Sequence, residues 1–372
     1  MSSRIVLPAA TAALLLRLAL YKVMAIPFGG LSSAMCQYDC GWYVRLATAG
    51  YGSDSRFADY LAAPNWAFFP LFPMILRAAL WLLPMGPTFV GLLVANALFL
   101  GFILLAAYYL RQTRAQSDAL LWVVFAMLFP FGYIFSAIYS EGLFAILSVA
   151  AVLLLRQRRS LAAAGVTALL CATRPTGILM LPLIVIDRAR HLHAGRFRPD
   201  RVALLGETLL PIAVAPLGLS LYMLVQYLEV GDALAFNHVQ LLWDRVWIGP
   251  WATIRDGLAL WDWRLVLAPK DLPSHSYAVA WGVLGLAVAG YTAWRGRGVE
   301  AYLMAASFLL PMATAYHSIP RFVATNPFFL FAVFDALLLV RHRLALATLF
   351  GTAGLLHGVV LVFWFISANS TY

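Results

Sequence analysis

Charge is what this sequence has least of. Only 11% of its 372 residues are Asp, Glu, Lys or Arg, where a soluble globular protein carries about 25%. No long stretch is polar enough to provide the water-facing surface of a separate soluble domain, and a mean hydropathy of +0.84 places the chain among membrane proteins. Cysteine is also scarce: three residues give no disulfide framework. Cys36 and Cys40 can pair if their loop faces an oxidising compartment, whereas Cys171 lies in an apolar run and reads as inert. The sequence has no metal-ligand spacing, no Gly-rich phosphate loop and no Gly-x-Ser-x-Gly nucleophile elbow. No metal or other cofactor is therefore expected. Nucleotide binding from the cytoplasm is not expected either, so any activated substrate should be lipid-borne. There is no internal repeat and no low-complexity segment.

What is present is a succession of apolar runs. Hydrophobic residues make up 63% of the chain, and a helix crossing a bilayer needs about 20 of them in a row. Spans are expected near 5–28, 88–110, 119–135, 141–155, 161–173, 176–187, 203–228, 277–294, 300–316, 323–340 and 344–366. This gives an all-α polytopic membrane protein of about eleven helices, read as a single transmembrane domain over residues 1–372. The first run follows Arg4 but is too long for a cleaved signal core and contains Arg17 and Lys22, so it reads as a retained span. The stretch 66–85 holds Pro70, Pro73 and Arg77 and reads as a surface or re-entrant segment at the outer interface.

The positive charges orient these spans. The formal charge of +10 does not indicate nucleic acid, because the basic residues form short clusters between apolar runs. With the N-terminus inside, Arg111 and Arg114, Arg156 to Arg159, Arg188 to Arg201, Arg295 and Arg297, and Arg341 and Arg343 all face the cytoplasm, as the positive-inside rule requires. Counting 66–85 as a span would scatter these clusters over both sides. The outer side then holds the two long loops, 29–87 and 229–276, rich in Trp, Tyr, Asp and Arg. These loops are expected to cap an active site on the non-cytoplasmic face of the membrane.

Candidate residues lie on that side. Tyr38, Asp39, Trp42 and Tyr43 begin a short interfacial helix in which Trp42, Tyr43, Leu46 and Ala47 share a face. Two readings are open for Asp39: a helix N-cap or a general base held just above the bilayer. Asn65–Pro73 reads as an interfacial aromatic belt or as a wall for a lipid or sugar. Glu141 opens a span, where the helix dipole favours an acid, and a structural and a substrate-binding role are both open. Arg174 precedes the helix-breaking Pro175, and an Arg at membrane depth usually faces a partner or a polar cavity. Structural pairing with an acid such as Glu141 competes with an anion clamp. Arg245, His317 and Arg321 reach the same side, and an Arg fork suits phosphate. His238, Gln240 and Trp243 complete the candidate pocket.

Several motifs occur together in order: Tyr38-Asp39…Trp42-Tyr43…Gly50-Tyr51, Phe68-Phe69-Pro70-Leu71-Phe72-Pro73, Tyr139-Ser140-Glu141, Thr173-Arg174-Pro175-Thr176-Gly177 and Ala235-Phe236-Asn237-His238-Val239-Gln240. In this the chain resembles the PIG-V-like mannosyltransferases of the GT-C superfamily of membrane glycosyltransferases, in the compact form of a bacterial member. The resemblance implies a GT-C-like bundle with short helices in the first outer loop. It implies a polyprenyl-phosphate or dolichyl-phosphate mannose donor, a glycolipid or glycan acceptor and inverting transfer, with the first-loop acid, here Asp39, as base. Arg174, Arg245, Arg321 and His317 are then expected to bind the donor phosphate. Tyr38, Trp42, Tyr43, Glu141, His238, Gln240 and Trp243 would line the substrate site. Pro175-Thr176-Gly177 departs from the Asn-Gly of eukaryotic members, so a glycosylphosphatidylinositol acceptor is not implied. A transporter or flippase of polyprenyl-linked sugars is the alternative, with a silent scaffold subunit behind it.

Overall fold

The computed structural model describes residues 5–51, 64–114, 118–193, 205–264, 275–314, 318–340 and 344–367. Among these residues all regular structure is helical. In chain order the helices are α1 (Val6–Met24), α2 (Leu31–Ala34), α3 (Asp39–Ala49), α4 (Leu71–Leu82), α5 (Pro87–Thr113), α6 (Ala119–Leu128), α7 (Glu141–Arg156), α8 (Ser160–Cys171), α9 (Leu181–His193), α10 (Leu210–Val214), α11 (Leu217–Val230), α12 (Ala235–His238), α13 (Pro250–Ala259), α14 (His275–Trp294), α15 (Gly298–Met312), α16 (Ile319–Ala324), α17 (Pro327–Val340) and α18 (Leu344–Ser367).

Local chemistry sets many of their ends. Pro87 stands in the first turn of α5, where its missing N–H has no partner to lose. Asp118 caps α6, its carboxylate accepting from the Leu120 and Leu121 amides at 2.9 and 3.1 Å. Gly231 closes α11 in the left-handed region (φ 76°). Prolines interrupt the expected spans. Pro130 opens a 3-10 turn, Pro130–Phe135, beyond α6, and Pro175 opens another, Pro175–Met180, between α8 and α9. The expected span 203–228 is a bent pair whose two arms, Gly206–Val214 and Leu217–Val230, meet at 43°, with Pro216 at the start of the second.

Among the described residues α1, α5 and α14 are long and apolar enough to cross a bilayer, and the bent pair makes a fourth if it counts as one span. Shorter apolar helices, α4, α6, α8 and α15 among them, accompany these. This is the make-up of an integral membrane protein. The 12 residues of α4 reach about 18 Å, short of a hydrocarbon core of about 30 Å, so the segment near 66–85 holds no spanning helix of its own.

The chain forms two compact units. The first comprises Met1–Gly52, Pro70–Ala150 and Phe334–Tyr372, and the second Ser53–Phe69 and Ala151–Val333. In the first, Phe135 stacks between Phe99 and Phe102 at 5.0 and 5.4 Å, and Trp122 meets Phe334 edge-on at 5.5 Å. The Trp122 indole N–H donates to the Ile103 carbonyl at 3.1 Å, and Arg114 pairs with Asp335 at 2.9 Å. Lipid is as apolar as these side chains, so helix association rests on such close packing and internal hydrogen bonds rather than on escape from water.

In the second unit the segment Trp66–Phe69 docks on α11. The Tyr222 hydroxyl and the Gln226 amide donate to the Trp66 carbonyl at 2.8 and 3.1 Å, and Phe69 packs on Tyr222 and Phe236 at 4.7 and 5.3 Å. Trp66, Phe68 and Phe69 are buried, as is Phe72 in the first unit. These rings are core rather than an aromatic belt in the membrane interface. Helices α8 and α11 cross in backbone contact: a Cβ on Gly218 would strike the Ala168 carbonyl, the close approach that small residues allow between membrane helices.

Candidate active site

In the first unit the motif around Asp39 folds against the start of α7. The Tyr139 hydroxyl donates to the Gln37 carbonyl at 3.0 Å, and the hydroxyls of Tyr43 and Ser140 hydrogen-bond at 3.0 Å. Tyr43 also meets Phe72 edge-on at 5.0 Å. A disulfide joins Cys36 to Cys40. Asp39 is thus fixed on both sides, between Gln37 and Tyr43 in sequence and inside the disulfide loop.

Asp39 is the first residue of α3, and the cap position belongs to Tyr38, which makes no side-chain cap bond. The N-cap reading of Asp39 therefore does not apply, and its carboxylate belongs to the first turn, where the helix dipole favours negative charge by about 0.3–1 kcal/mol. Tyr38 has φ 48°, uncommon for a residue with a side chain, and its half-exposed ring stacks on Trp364 at 5.9 Å. Trp42 is partly buried, while Cys40, Tyr43, Leu46 and Ala47 form the buried face of α3. Glu141 occupies the same first-turn position in α7 and is 2% exposed.

In the second unit three arginines gather on α16. Pro175 holds the preceding Arg174 in extended backbone (φ −157°, ψ 148°), and its guanidinium lies 5.5 Å from the centre of the Phe322 ring. Arg321 lies 5.2 Å from the centre of the same ring. Arg245 follows Asp244, which is left-handed (φ 54°), and donates from Nη2 to the Ser318 hydroxyl at 2.8 Å. Arg174 and Arg245, from two separate segments, therefore reach the segment Ser318–Phe322 that carries Arg321. His317 lies outside the described residues.

The remaining candidates sit in the Ala235–Trp243 segment. The His238 ring bonds the Asp232 carboxylate at 2.5 Å, Gln240 donates to the Phe236 carbonyl at 3.3 Å, and Trp243 meets Phe68 edge-on at 6.1 Å. The structure thus groups Tyr38, Asp39, Trp42, Tyr43 and Glu141 in the first unit, and the arginines with His238, Gln240 and Trp243 in the second. Sequence reasoning missed Ser318 and Phe322, which collect the arginines, and Gln226, whose amide links Trp66 to the Phe236 amide. A lone Gln in the apolar run of α11 was the available signal.

No family model matches the sequence, and no curated protein matches it. Among solved structures, the chain aligns with a crystal structure of the Archaeoglobus fulgidus oligosaccharyltransferase tethered to an acceptor peptide. That alignment has TM-score 0.50 and 13% identity, covering 96% of this chain and 55% of the other. A second alignment, to the oligosaccharyltransferase AglB of the same archaeon in complex with an inhibitory peptide and a dolichol-phosphate, has TM-score 0.47 and 13% identity over 98% of this chain and 56% of the other. The chain spans about half the length of these structures. At this identity the likeness is one of fold, and the fold is GT-C-like: all-helical, with several apolar helices.

Proposed function

We propose that this protein is a GT-C-type glycosyltransferase. In this reading it moves a hexose, mannose by the motif resemblance, from a polyprenyl-phosphate sugar to a glycolipid or glycan acceptor on the non-cytoplasmic face of the membrane. The observation that carries the reading is the meeting of Arg174 and Arg245 with the segment Ser318–Phe322, which itself carries Arg321. Glycosyl transfer from a lipid phosphate develops negative charge on the departing phosphate, and fixed cations aimed at a developing anion lower the barrier without reorganising at the moment of reaction. The GT-C-like fold supports the same reading.

The chemistry follows from the parts. Asp39 removes the proton from an acceptor hydroxyl. The resulting oxygen attacks the anomeric carbon from the face opposite the phosphate, the bond from that carbon to the phosphate oxygen breaks, and configuration inverts. The arginines, with His317, take up the charge of the leaving lipid phosphate. Tyr38, Trp42, Tyr43, Glu141, His238, Gln240 and Trp243 contact sugar and acceptor. A disulfide at Cys36–Cys40 suits an oxidising, extracytoplasmic loop.

The test is reconstitution of the purified chain with labelled polyprenyl-phosphate mannose and candidate acceptors. The proposal predicts a new glycosidic product with inverted configuration. Movement of the labelled lipid between leaflets with no product would replace the enzyme with a transporter.

A further inference from the structure

A buried cation in the first unit lies outside the proposed transfer chemistry. The inner stripe of α1 is Ala10, Leu14 and Arg17, while Leu15, Leu16, Leu20 and Val23 on its other faces are exposed, as lipid-facing residues are. Arg17 is 5% exposed. Its Nε donates to the Tyr21 hydroxyl at 2.8 Å, and its guanidinium carbon lies 5.1 and 5.0 Å from the ring centres of Tyr21 and Phe99. On another side it packs on bare backbone: a Cβ at Gly132 would fall 2.9 Å from Nη1 and 3.1 Å from Nη2.

Nη1 and Nη2 are buried, and neither has a hydrogen-bond partner. A guanidinium has five N–H donors and does not lose its charge in a protein, so four donors and a full positive charge stand idle inside a membrane-spanning helix. Among the described residues of this unit, Asp118 caps α6 and Asp335 holds Arg114, so neither of these carboxylates answers the Arg17 charge. Aromatic faces offset part of a cation's desolvation but accept no hydrogen bonds in the plane of the fork. The group that completes this site is an oxyanion with two adjacent oxygens, which the planar fork binds through parallel hydrogen bonds. Because α1 is bathed in lipid on its other faces, its source is the bilayer.

We propose that Arg17, cradled by Tyr21, Phe99 and Gly132, binds the phosphate of a membrane lipid at a site separate from the arginines on α16. This inference draws on none of the residues assigned to glycosyl transfer and stands apart from that reading.

The experiment is thermal unfolding of the full chain, delipidated in a phosphate-free maltoside detergent, with phosphatidylglycerol, diacylglycerol or inorganic phosphate added in separate arms. Native mass spectrometry counts the bound lipid. The expected result is a rise in Tm that saturates at one phospholipid per chain and is absent with diacylglycerol. In Arg17→Lys, which keeps the charge and loses the fork, half-saturation shifts at least tenfold higher, and in Arg17→Gln the rise is lost. Equal stabilisation by phosphatidylglycerol and diacylglycerol would overturn the phosphate assignment, and a response to inorganic phosphate alone would overturn the lipid source. An unshifted midpoint in Arg17→Lys would remove Arg17 from the site. If Arg17→Gln fails to fold, the wild-type arms and Arg17→Lys decide the matter.

Discussion

Phe322 is the residue that gives the arginine cluster its shape. Two guanidinium groups share its ring, each gaining roughly 0.5–2 kcal/mol from a cation–π contact, while Ser318, one helical turn earlier, holds the third. In the proposed reaction the anion these guanidinium groups meet is the departing lipid phosphate, which an Arg fork binds through parallel hydrogen bonds. Each arginine should therefore matter more to the transition state than to folding. Arg174→Ala, Arg245→Ala and Arg321→Ala are each expected to lower kcat by roughly 10²–10³-fold, as loss of one preorganised donor does, with the thermal midpoint little changed. Single-turnover rates at saturating donor check this. A pure KM effect with kcat intact would mean that the cluster binds substrate but does not stabilise the leaving group.

At the scale of elements, the lengths and breaks of the helices follow from proline and glycine. The expectation 141–155 matches α7, because Ser140-Glu141 marks its start and the arginines from Arg156 its end. The expectation 119–135 holds only through Leu128, since Pro130 cannot continue the ladder and the chain tightens into a 3-10 turn. What no periodicity disclosed is which unit Trp66–Phe69 joins. That depends on Tyr222 and Gln226, more than 150 residues away in sequence, and local patterning carries no record of such a partner. The positive-charge pattern put the three arginines on one expected side of the membrane but gave no sign of their contacts, because Phe322 looks like any apolar residue of a span. The crossing of α8 and α11 gives the element-scale prediction. Gly218→Ala drives a methyl into the Ala168 carbonyl, so the helices must part, at a cost of about 1–3 kcal/mol for overpacking. A fall in thermal midpoint is expected, with Gly290→Ala, which meets open space, as the neutral control.

For the whole molecule, the scarcity of charge and the placement of the basic clusters make a claim about sidedness that the helices alone do not test. By the positive-inside rule, the short basic loops after α5 and α7 are expected inside and the aromatic Ala235–Leu260 region outside. Fluorescent-protein fusions after Arg114 and Arg158 are expected to glow, and an alkaline phosphatase fusion after Trp247 to be active. The opposite pattern would put the candidate site in the cytoplasm and remove the case for a lipid-linked donor presented from the outer leaflet.

The account depends most on the carboxylate that opens α3. The direct measurement is transfer of labelled mannose by Asp39→Asn beside wild type, with donor binding measured on the same preparations. The account predicts that transfer falls by roughly 10²–10⁴-fold, the usual contribution of a general base, while donor affinity and the thermal midpoint hold. Wild-type turnover in the Asn variant would contradict it.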